Sequence, residues 1–146
     1  MPDLSESEEQ PLGYLLYRVQ LVLQPAVSAA LRPLGITLPE MVCLKLLATY
    51  PGLSNAELAR MTNVSPQAMN TVLRSLQDMG AVTRPESVAS GRALPAQLTK
   101  QGKVLVKRAQ AATKTAEDAV VAELTSDKIR ELKRLLGAIG AETVRR

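Results

Sequence analysis

The stretch SNAELARMTNVSPQAMNTVLRSLQDMGAVTRPESVASGRALPAQL, residues 54–98, decides the fold. It predicts a short helix, a tight turn, a second helix and then a two-stranded hairpin. Ser54 and Glu57 have the spacing of a capping box, in which each side chain satisfies a backbone N–H at a helix start. Ser65 is placed to cap the second helix, and Pro66 takes its first position, where a missing N–H costs nothing.

The second helix is predicted to run to about Met79 and to have one apolar and one polar face. The apolar face, stepping by three and four, holds Met69, Val72, Leu73, Leu76 and Met79. The polar face holds Gln67, Asn70, Thr71, Arg74 and Gln77. Such a helix fits the DNA major groove, where Arg pairs with guanine, Asn or Gln with adenine, and Thr contacts the thymine methyl.

After this helix the sequence pattern changes from helical to extended. Residues 81–84 predict one short strand, 85–91 a turn, and 92–98 a second strand. Because Pro95 has no N–H to donate to a ladder, we expect the second strand at a sheet edge. At the hairpin tip, Arg92 would project on the order of 20 Å from the base, far enough to reach a minor groove.

Composition indicates a mostly α protein with an aliphatic core. The 146 residues are 46% hydrophobic, but the aromatic residues are three Tyr, with no Phe or Trp. The net charge is +4, and because residues 1–10 hold four carboxylates and no Lys or Arg, the remainder carries +8. This basic excess favours a polyanionic partner. Most of it lies late in the chain, since residues 54–99 carry only +1.

The same composition excludes several classes of function. One Cys cannot form an internal disulfide, and without His it argues against a transition-metal site. The sequence has no Gly-rich phosphate loop and no Ser/His or Cys/His pair, so we expect neither an enzyme nor a cofactor. No apolar stretch approaches the ~20 residues of a membrane span, and the start is acidic rather than signal-like. We therefore expect no membrane contact and a cytoplasmic location.

Amphipathic helices at both ends of the chain predict a homodimer, because each leaves an apolar face that a second copy would cover. The alternative is an intrachain helical hairpin with a solvated Ala-rich face. The expected segments are a flexible acidic arm (1–10), an N-terminal dimerisation helix (11–36), a DNA-binding unit (37–99) and C-terminal dimerisation helices (100–146).

Individual helices carry further expectations. Pro25 should kink the first helix or split it in two. Thr37 and Glu40 predict a second capping box, before a helix that is apolar nearly all round and therefore buried. Thr99 should cap a long helix of about residues 100–123 whose seam of small residues needs a partner. That seam is Leu105, Ala109, Ala112, Ala116 and Ala119, and the last helix, from Thr125, carries Ile129, Leu132, Leu135, Leu136 and Ile139 on one face.

Four short stretches, in this order of elements, resemble the MarR family of bacterial winged helix-turn-helix regulators. They are LGIT at 34–37, NAELA at 55–59, LQDMGAV at 76–82 and LTKQG at 98–102. The resemblance covers about residues 11–142. It implies a mostly α fold of about six helices with a two-stranded wing. It also implies a homodimer that binds near-palindromic duplex DNA, usually as a repressor, and releases it when a small, often phenolic, ligand or an oxidant arrives.

The resemblance also assigns residues to the DNA contact. Ser65, Gln67, Asn70, Thr71 and Arg74 fall on the recognition helix. Arg92 falls on the wing-tip arginine, although Ser90 stands where the family usually has an Asp that would orient it. Lys100, at the start of the next helix, is expected either to contact phosphate or to be simply solvated.

A ligand site is a further expectation. Tyr14 and Tyr17 on the first helix are interpreted either as lining a ligand pocket or as packing under the dimer interface. Cys43 is either a small core residue or a contributor to sensing, which would need a reachable, low-pKa thiolate. The leading hypothesis is a ligand-responsive repressor. The alternative is an interaction or ligand-sequestering dimer that kept the fold and lost its operator.

Overall fold

The computed structural model describes residues 4–85 and 95–141, with side chains from residue 6 onward. Within these residues the chain forms seven α-helices, one 3₁₀ turn and two short strands. The elements are α1 (Leu4–Glu8), α2 (Leu12–Leu31), the 3₁₀ turn (Arg32–Leu34), α3 (Leu38–Thr49), α4 (Asn55–Thr62), α5 (Pro66–Asp78), β1 (Val82–Thr83), β2 (Gln97–Leu98), α6 (Lys100–Val120) and α7 (Ser126–Ala138). The mostly α winged-helix prediction is confirmed.

Two features of the N-terminal segment bear on its predictions. Within the predicted acidic arm, Leu4–Glu8 forms a short helix. Pro25 does not split the first long helix, because α2 is continuous from Leu12 to Leu31 with Pro25 inside it. A proline removes one backbone hydrogen bond, and α2 continues across this position while packing along α6.

The start of α3 forms only half of the predicted capping box. The Thr37 hydroxyl accepts a hydrogen bond from the Glu40 N–H at 3.4 Å. It donates in turn to the Glu40 carboxylate at 3.0 Å, so that carboxylate does not reach the Thr37 backbone. The helix is also less buried than its sequence predicts, since Val42 and Ala48 are exposed.

The core is aliphatic, as the composition predicts, and lies where α3, α4, α5 and the first half of α6 meet. Its side chains come mostly from Leu, Val, Ala and Met, since these fill a small interior without polar atoms. The most completely buried are Leu31, Leu44, Leu47, Leu58, Met69, Leu73, Leu76 and Cys43.

The buried face of α6 matches the predicted seam only in part, since Ala109 is buried and Leu105, Ala112 and Ala116 are half-buried. Gly102, Val106, Ala109 and Thr113 are buried, whereas Ala119 is exposed. The partner is α2, which packs along α6 within the same chain. A neighbour of similar length is therefore present, since α2 has 20 residues and α6 has 21, but Ala119 near the end of α6 stays uncovered within the chain.

The strands are shorter than predicted, and β2 is not a free edge. β1 pairs with β2 through Val82↔Leu98 and Thr83↔Gln97. On the other side of β2, the Ala96 N–H donates to the Leu53 carbonyl at 2.8 Å, and Pro95 forms a bridge with Ser54. Extending the β1–β2 register by two places would oppose Pro85 to Pro95, and neither has an N–H. The ladder therefore ends after two pairs.

Two apolar faces remain uncovered within the chain. Large aliphatic side chains are exposed along α2, and on α7 the exposed face includes Leu135 at 48% and Ile139 at 64%. Contiguous apolar surface of this kind marks an interaction site. None of the described helices alone has the length and apolarity to cross a bilayer, and the one pair that qualifies jointly, α2 with its 3₁₀ extension and α3, is bent by 79°.

Candidate nucleic-acid interface

Helix α4 begins with the complete capping box that the sequence predicts. The Ser54 hydroxyl accepts from the Glu57 N–H at 3.1 Å, and the Ser54 N–H donates to the Glu57 carboxylate at 3.0 Å. Two N–H groups that would otherwise lack partners are satisfied reciprocally. This fixes the direction in which the chain enters the helix-turn-helix.

Three residues determine the turn between α4 and α5. Asn63 takes the left-handed conformation, with φ 55°, that ends α4. The Ser65 hydroxyl accepts from the Ala68 N–H at 3.1 Å and so caps α5. The Asn55 amide donates to the Pro66 carbonyl at 2.9 Å, which ties the start of α4 to the start of α5. Sequence analysis missed this last contact, because its partners are 11 residues apart.

Helix α5 presents its polar face outward. Met69, Leu73 and Leu76 are buried against the core, while Met79, predicted on the same face, is 40% exposed. Of the five predicted DNA contacts on α5 and at its N-cap, four are exposed and Asn70 is half-buried. The four exposed ones are Ser65, Gln67, Thr71 and Arg74. The structure thus brings five predicted site residues together at one end and one face of a single helix.

Arg84, directly after β1, is a member of this site that sequence analysis did not single out. Its guanidinium donates to the Asn70 side-chain oxygen at 3.3 Å and to that of Gln77 at 2.8 Å. A second bond to Gln77, from Nε, measures 3.1 Å. No local pattern signals these contacts, since they join residues 14 and 7 positions apart across the strand–helix boundary.

Of the other two predicted DNA contacts, Lys100 lies within the described residues. Lys100 is exposed at the first position of α6, whose N-terminus is capped by Thr99 accepting from the Gly102 N–H at 3.0 Å. Arg92, like Ser90, lies outside the described residues.

The sequence profile of the MarR family matches residues 36–94. The HTH-type transcriptional repressor Rv2887 of Mycobacterium tuberculosis is 60% identical over 136 residues, which cover 93% of this chain and 98% of the repressor. This chain belongs to the MarR family. The predicted resemblance is confirmed, and with it the function of a DNA-binding transcriptional regulator rather than an enzyme.

Solved structures of the same mycobacterial MarR-family protein share this fold. Its crystal structure in complex with DNA is 57% identical in sequence, with a TM-score of 0.80, and the match covers 90% of this chain and 99% of that one. Its complex with salicylic acid is 60% identical, with a TM-score of 0.76, and the match covers 92% and 99% of the two chains. Proteins of the MarR family act as dimers.

The MarR-family chain also has two cavities beside α3 that share Leu38 and Val42 in their walls. The larger, of about 370 Å³, lies between α3 and α5 and includes Ala68, Met69 and Val72. The smaller, of about 220 Å³, lies between α2, α3 and α6 and includes Lys45. We call the two together the α3 groove. Its lining extends to Gln24, Pro39, Thr62 and Val64 in the larger cavity, and to Val27, Met41, Leu46, Thr113 and Glu117 in the smaller.

The three residues predicted to bind a ligand do not line the α3 groove. Tyr14 and Tyr17 are exposed on α2, where the Arg18 guanidinium lies 5.9 Å from the Tyr14 ring centroid. Cys43 is fully buried in the core. Burial raises the pKa of its thiol from 9.0 to about 12, with Arg84 lowering it and Glu40 raising it to smaller extents. The thiol is therefore neutral at physiological pH, which favours the core interpretation over sensing.

Proposed function

We propose that this MarR-family protein is a homodimeric repressor that binds an inverted-repeat operator through α5 and releases it when a small aromatic carboxylate occupies the α3 groove. The observation that carries the proposal is the outward polar face of α5, whose N-terminus Ser65 caps. At 13 residues, α5 is about 20 Å long, which suits a major groove about 12 Å wide.

On DNA, we assign two kinds of contact to the site residues. Gln67, Asn70, Thr71 and Arg74 are proposed to contact base edges, with Arg74 directed to guanine. Ser65, at the N-terminus of α5, and Lys100, at the start of α6, are proposed to contact phosphates. An anion is favoured at a helix N-terminus because free N–H groups and the helix dipole point at it. Arg92 is proposed to contact the minor groove from the wing.

The dimer follows from the uncovered faces of α2 and α7. Burying their exposed aliphatic side chains against a second copy removes apolar area from water at roughly 25 cal/mol per Å². A two-fold axis would then place the two α5 helices about one turn of B-form DNA apart, so the operator should be an inverted repeat. Because DNA lies in the cytoplasm of a bacterium, we also propose that location for this protein.

The smaller cavity of the α3 groove has the chemistry for a salicylate-type ligand. Its aliphatic walls would hold one aromatic ring, since a cavity of roughly 150 Å³ already accommodates benzene. Lys45 provides a cation for the carboxylate, and the ring would face Val42 and Leu46. Glu117 belongs to the same wall, so the carboxylate should bind on the Lys45 side.

Val42 gives this ligand a route to the recognition helix. It lines the larger cavity as well, opposite Met69 and Val72 of α5. A ligand that displaces Val42 would shift α5 relative to α3 and change the spacing of the two recognition helices. Release of DNA requires only that the ligand bind the displaced arrangement more tightly than the DNA-bound one.

Selection from random duplexes tests the DNA half of this proposal. The dimer, without ligand at low salt, should enrich an inverted repeat, and its affinity should fall steeply as salt rises because phosphate contacts release counterions. Failure to enrich any sequence would favour the interaction or ligand-sequestering alternative.

Titration with salicylate tests the effector half. Fluorescence anisotropy of the labelled operator should show release by salicylate for the wild-type protein. Lys45→Met should raise the salicylate concentration needed by about tenfold or more, since a charge-assisted hydrogen bond contributes roughly 1.5–3 kcal/mol. Lys128→Met, which removes an exposed charge at the start of α7, is the matched control and should leave release unchanged. Equal responses of the two variants would refute the role of Lys45.

A further inference from the structure

The side-chain amides of α5 are not all free to face DNA, because Arg84 occupies two of them. Its Nη1 and Nη2 atoms each donate to Asn70 Oδ1 at 3.3 Å, and its Nε and Nη2 atoms donate to Gln77 Oε1 at 3.1 and 2.8 Å. Asn70 and Gln77 are two helical turns apart on the same face of α5. Arg84 therefore spans the polar face of the recognition helix from the base of the wing.

The orientation of the Asn70 amide follows from the chemistry of its partner. A guanidinium carries five N–H donors and no acceptor. Turning the amide over would place its NH₂ group against those donors, so the oxygen must face Arg84. A carbonyl oxygen has two lone pairs, and two N–H groups of Arg84 use both. Within the described residues the Asn70 amino group makes no hydrogen bond. Asn70 can therefore donate hydrogen bonds to a base, but its oxygen is not free to accept one.

A donor-only Asn70 changes what the recognition helix can bind. Asparagine recognises adenine by donating to N7 and accepting from the N6 amino group. The accepting half of that pair is occupied here. Guanine instead presents two acceptors, N7 and O6, on its major-groove edge, and both suit an amino group. The sequence-based expectation that Asn70 pairs with adenine is thereby revised.

We propose that Arg84 is a specificity-determining positioning residue. By holding the Asn70 oxygen, it directs the Asn70 amino group to guanine and away from adenine at one base pair in each half-site. This inference rests on the proposed function, in which α5 enters the major groove. Arg84 acts through Asn70 and need not touch a base itself.

The test compares base preference in wild type and Arg84→Met. Methionine keeps much of the aliphatic chain and removes every donor, so Asn70 regains its oxygen. Selection from random duplexes should give guanine at one position of each half-site for wild type. Arg84→Met should shift that position toward adenine, changing the adenine-to-guanine affinity ratio roughly tenfold, within the range of one bidentate contact. Other positions should keep their preferences.

Two further variants separate this effect from charge and from misfolding. Arg60→Met removes an exposed charge from α4. It should lower the affinity for all DNA sequences alike without changing the base preference at any position. Arg84→Lys keeps the charge, but a single ammonium cannot hold both amides as the planar guanidinium does, so a partial shift toward adenine is expected. Asn70→Ala in the Arg84→Met background should abolish the new adenine preference, because that preference belongs to Asn70.

The outcomes separate the role of Arg84 from the proposed DNA binding by α5. If wild type enriches no sequence, the proposed function fails and the inference fails with it. If wild type enriches an operator and folded Arg84→Met and Arg84→Lys enrich the same bases, the inference alone is overturned. In the free protein, the Arg84 Nε–H should exchange slowly with solvent and faster in Gln77→Ala. Fast exchange in wild type would refute the hydrogen bonds themselves.

Discussion

Substitution of Gly102 by alanine is expected to be the most damaging small change in this fold. Gly102 lies in the first turn of α6 and is buried against Ala81, the residue just before β1. A Cβ atom there would lie 2.0 Å from the Ala81 carbonyl oxygen and 2.9 Å from its carbon. Both are backbone atoms, so no side-chain rotation relieves the clash.

The cost can be worked out from two contributions. Forcing an extra methyl into a packed site costs roughly 1–3 kcal/mol. The same Ala81 carbonyl accepts from the Thr99 N–H at 3.0 Å, and losing that bond adds about 1 kcal/mol. Gly102→Ala should therefore lower the free energy of unfolding by roughly 2–4 kcal/mol. It should also weaken operator binding, because displacing β1 moves Arg84 away from α5.

Chemical denaturation at a fixed protomer concentration measures the effect, since a dimer's stability depends on concentration. Gly137→Ala is the matched control. Gly137 lies inside α7, and a Cβ there would meet nothing within 4 Å, so alanine should stabilise by about 0.5–1 kcal/mol through helix propensity. If Gly102→Ala costs no more than about 1 kcal/mol, or moves stability in the same direction as Gly137→Ala, the close-approach argument is wrong.

Three other residues give sharp expectations. Native Cys43 should react with iodoacetamide about 10³-fold more slowly than a free thiol, because the rise of its pKa from 9.0 to about 12 removes thiolate. Since that folded pKa exceeds the unfolded value, the contribution of the Cys43 thiol to the free energy of unfolding is fully present below pH 9. Above pH 9 this contribution falls by up to about 1.4 kcal/mol per pH unit, and Cys43→Ala should remove that pH dependence. Ser54→Ala should cost about 1 kcal/mol in denaturation by removing a cap, whereas Thr125→Ala, at the exposed start of α7, should cost less. Leu135→Glu should give monomers in sedimentation and weaken inverted-repeat binding; an intact dimer would show that this face of α7 is not the interface.

The features that sequence analysis predicted correctly are those decided within a few residues. Ser54, Ser65 and Thr99 cap their helices as expected, because a cap depends on a side chain and an N–H three positions later. The polar face of α5 follows in the same way from helical spacing. These local rules were enough to predict the helix-turn-helix and the surface it presents.

The features that were mispredicted depend on contacts between distant parts of the chain. The buried face of α6 runs through Val106, Ala109 and Thr113, so Ala109 is the one residue of the predicted seam that is fully buried. Alanine fits either face of a helix, so only the position of α2 decides which face is buried. Likewise, Pro95 alone predicts an edge strand, because it has no N–H to donate. In the structure Pro95 pairs with Ser54 on the side of the strand where no Pro95 N–H is required.

Arg84 combines both kinds of information and explains why the wing and α5 belong to one recognition unit. Its position directly after β1 is local, but its bonds to Asn70 and Gln77 require the folded hairpin. A ligand in the smaller cavity that displaces α5 through Val42 would stretch these bonds as well as move the helix. Effector binding would then free the Asn70 oxygen while the dimer spacing changes. Loss of affinity and a shift of base preference from guanine toward adenine should therefore occur together. A ligand that lowers the affinity for all sequences equally would argue that α5 moves with Arg84 still attached.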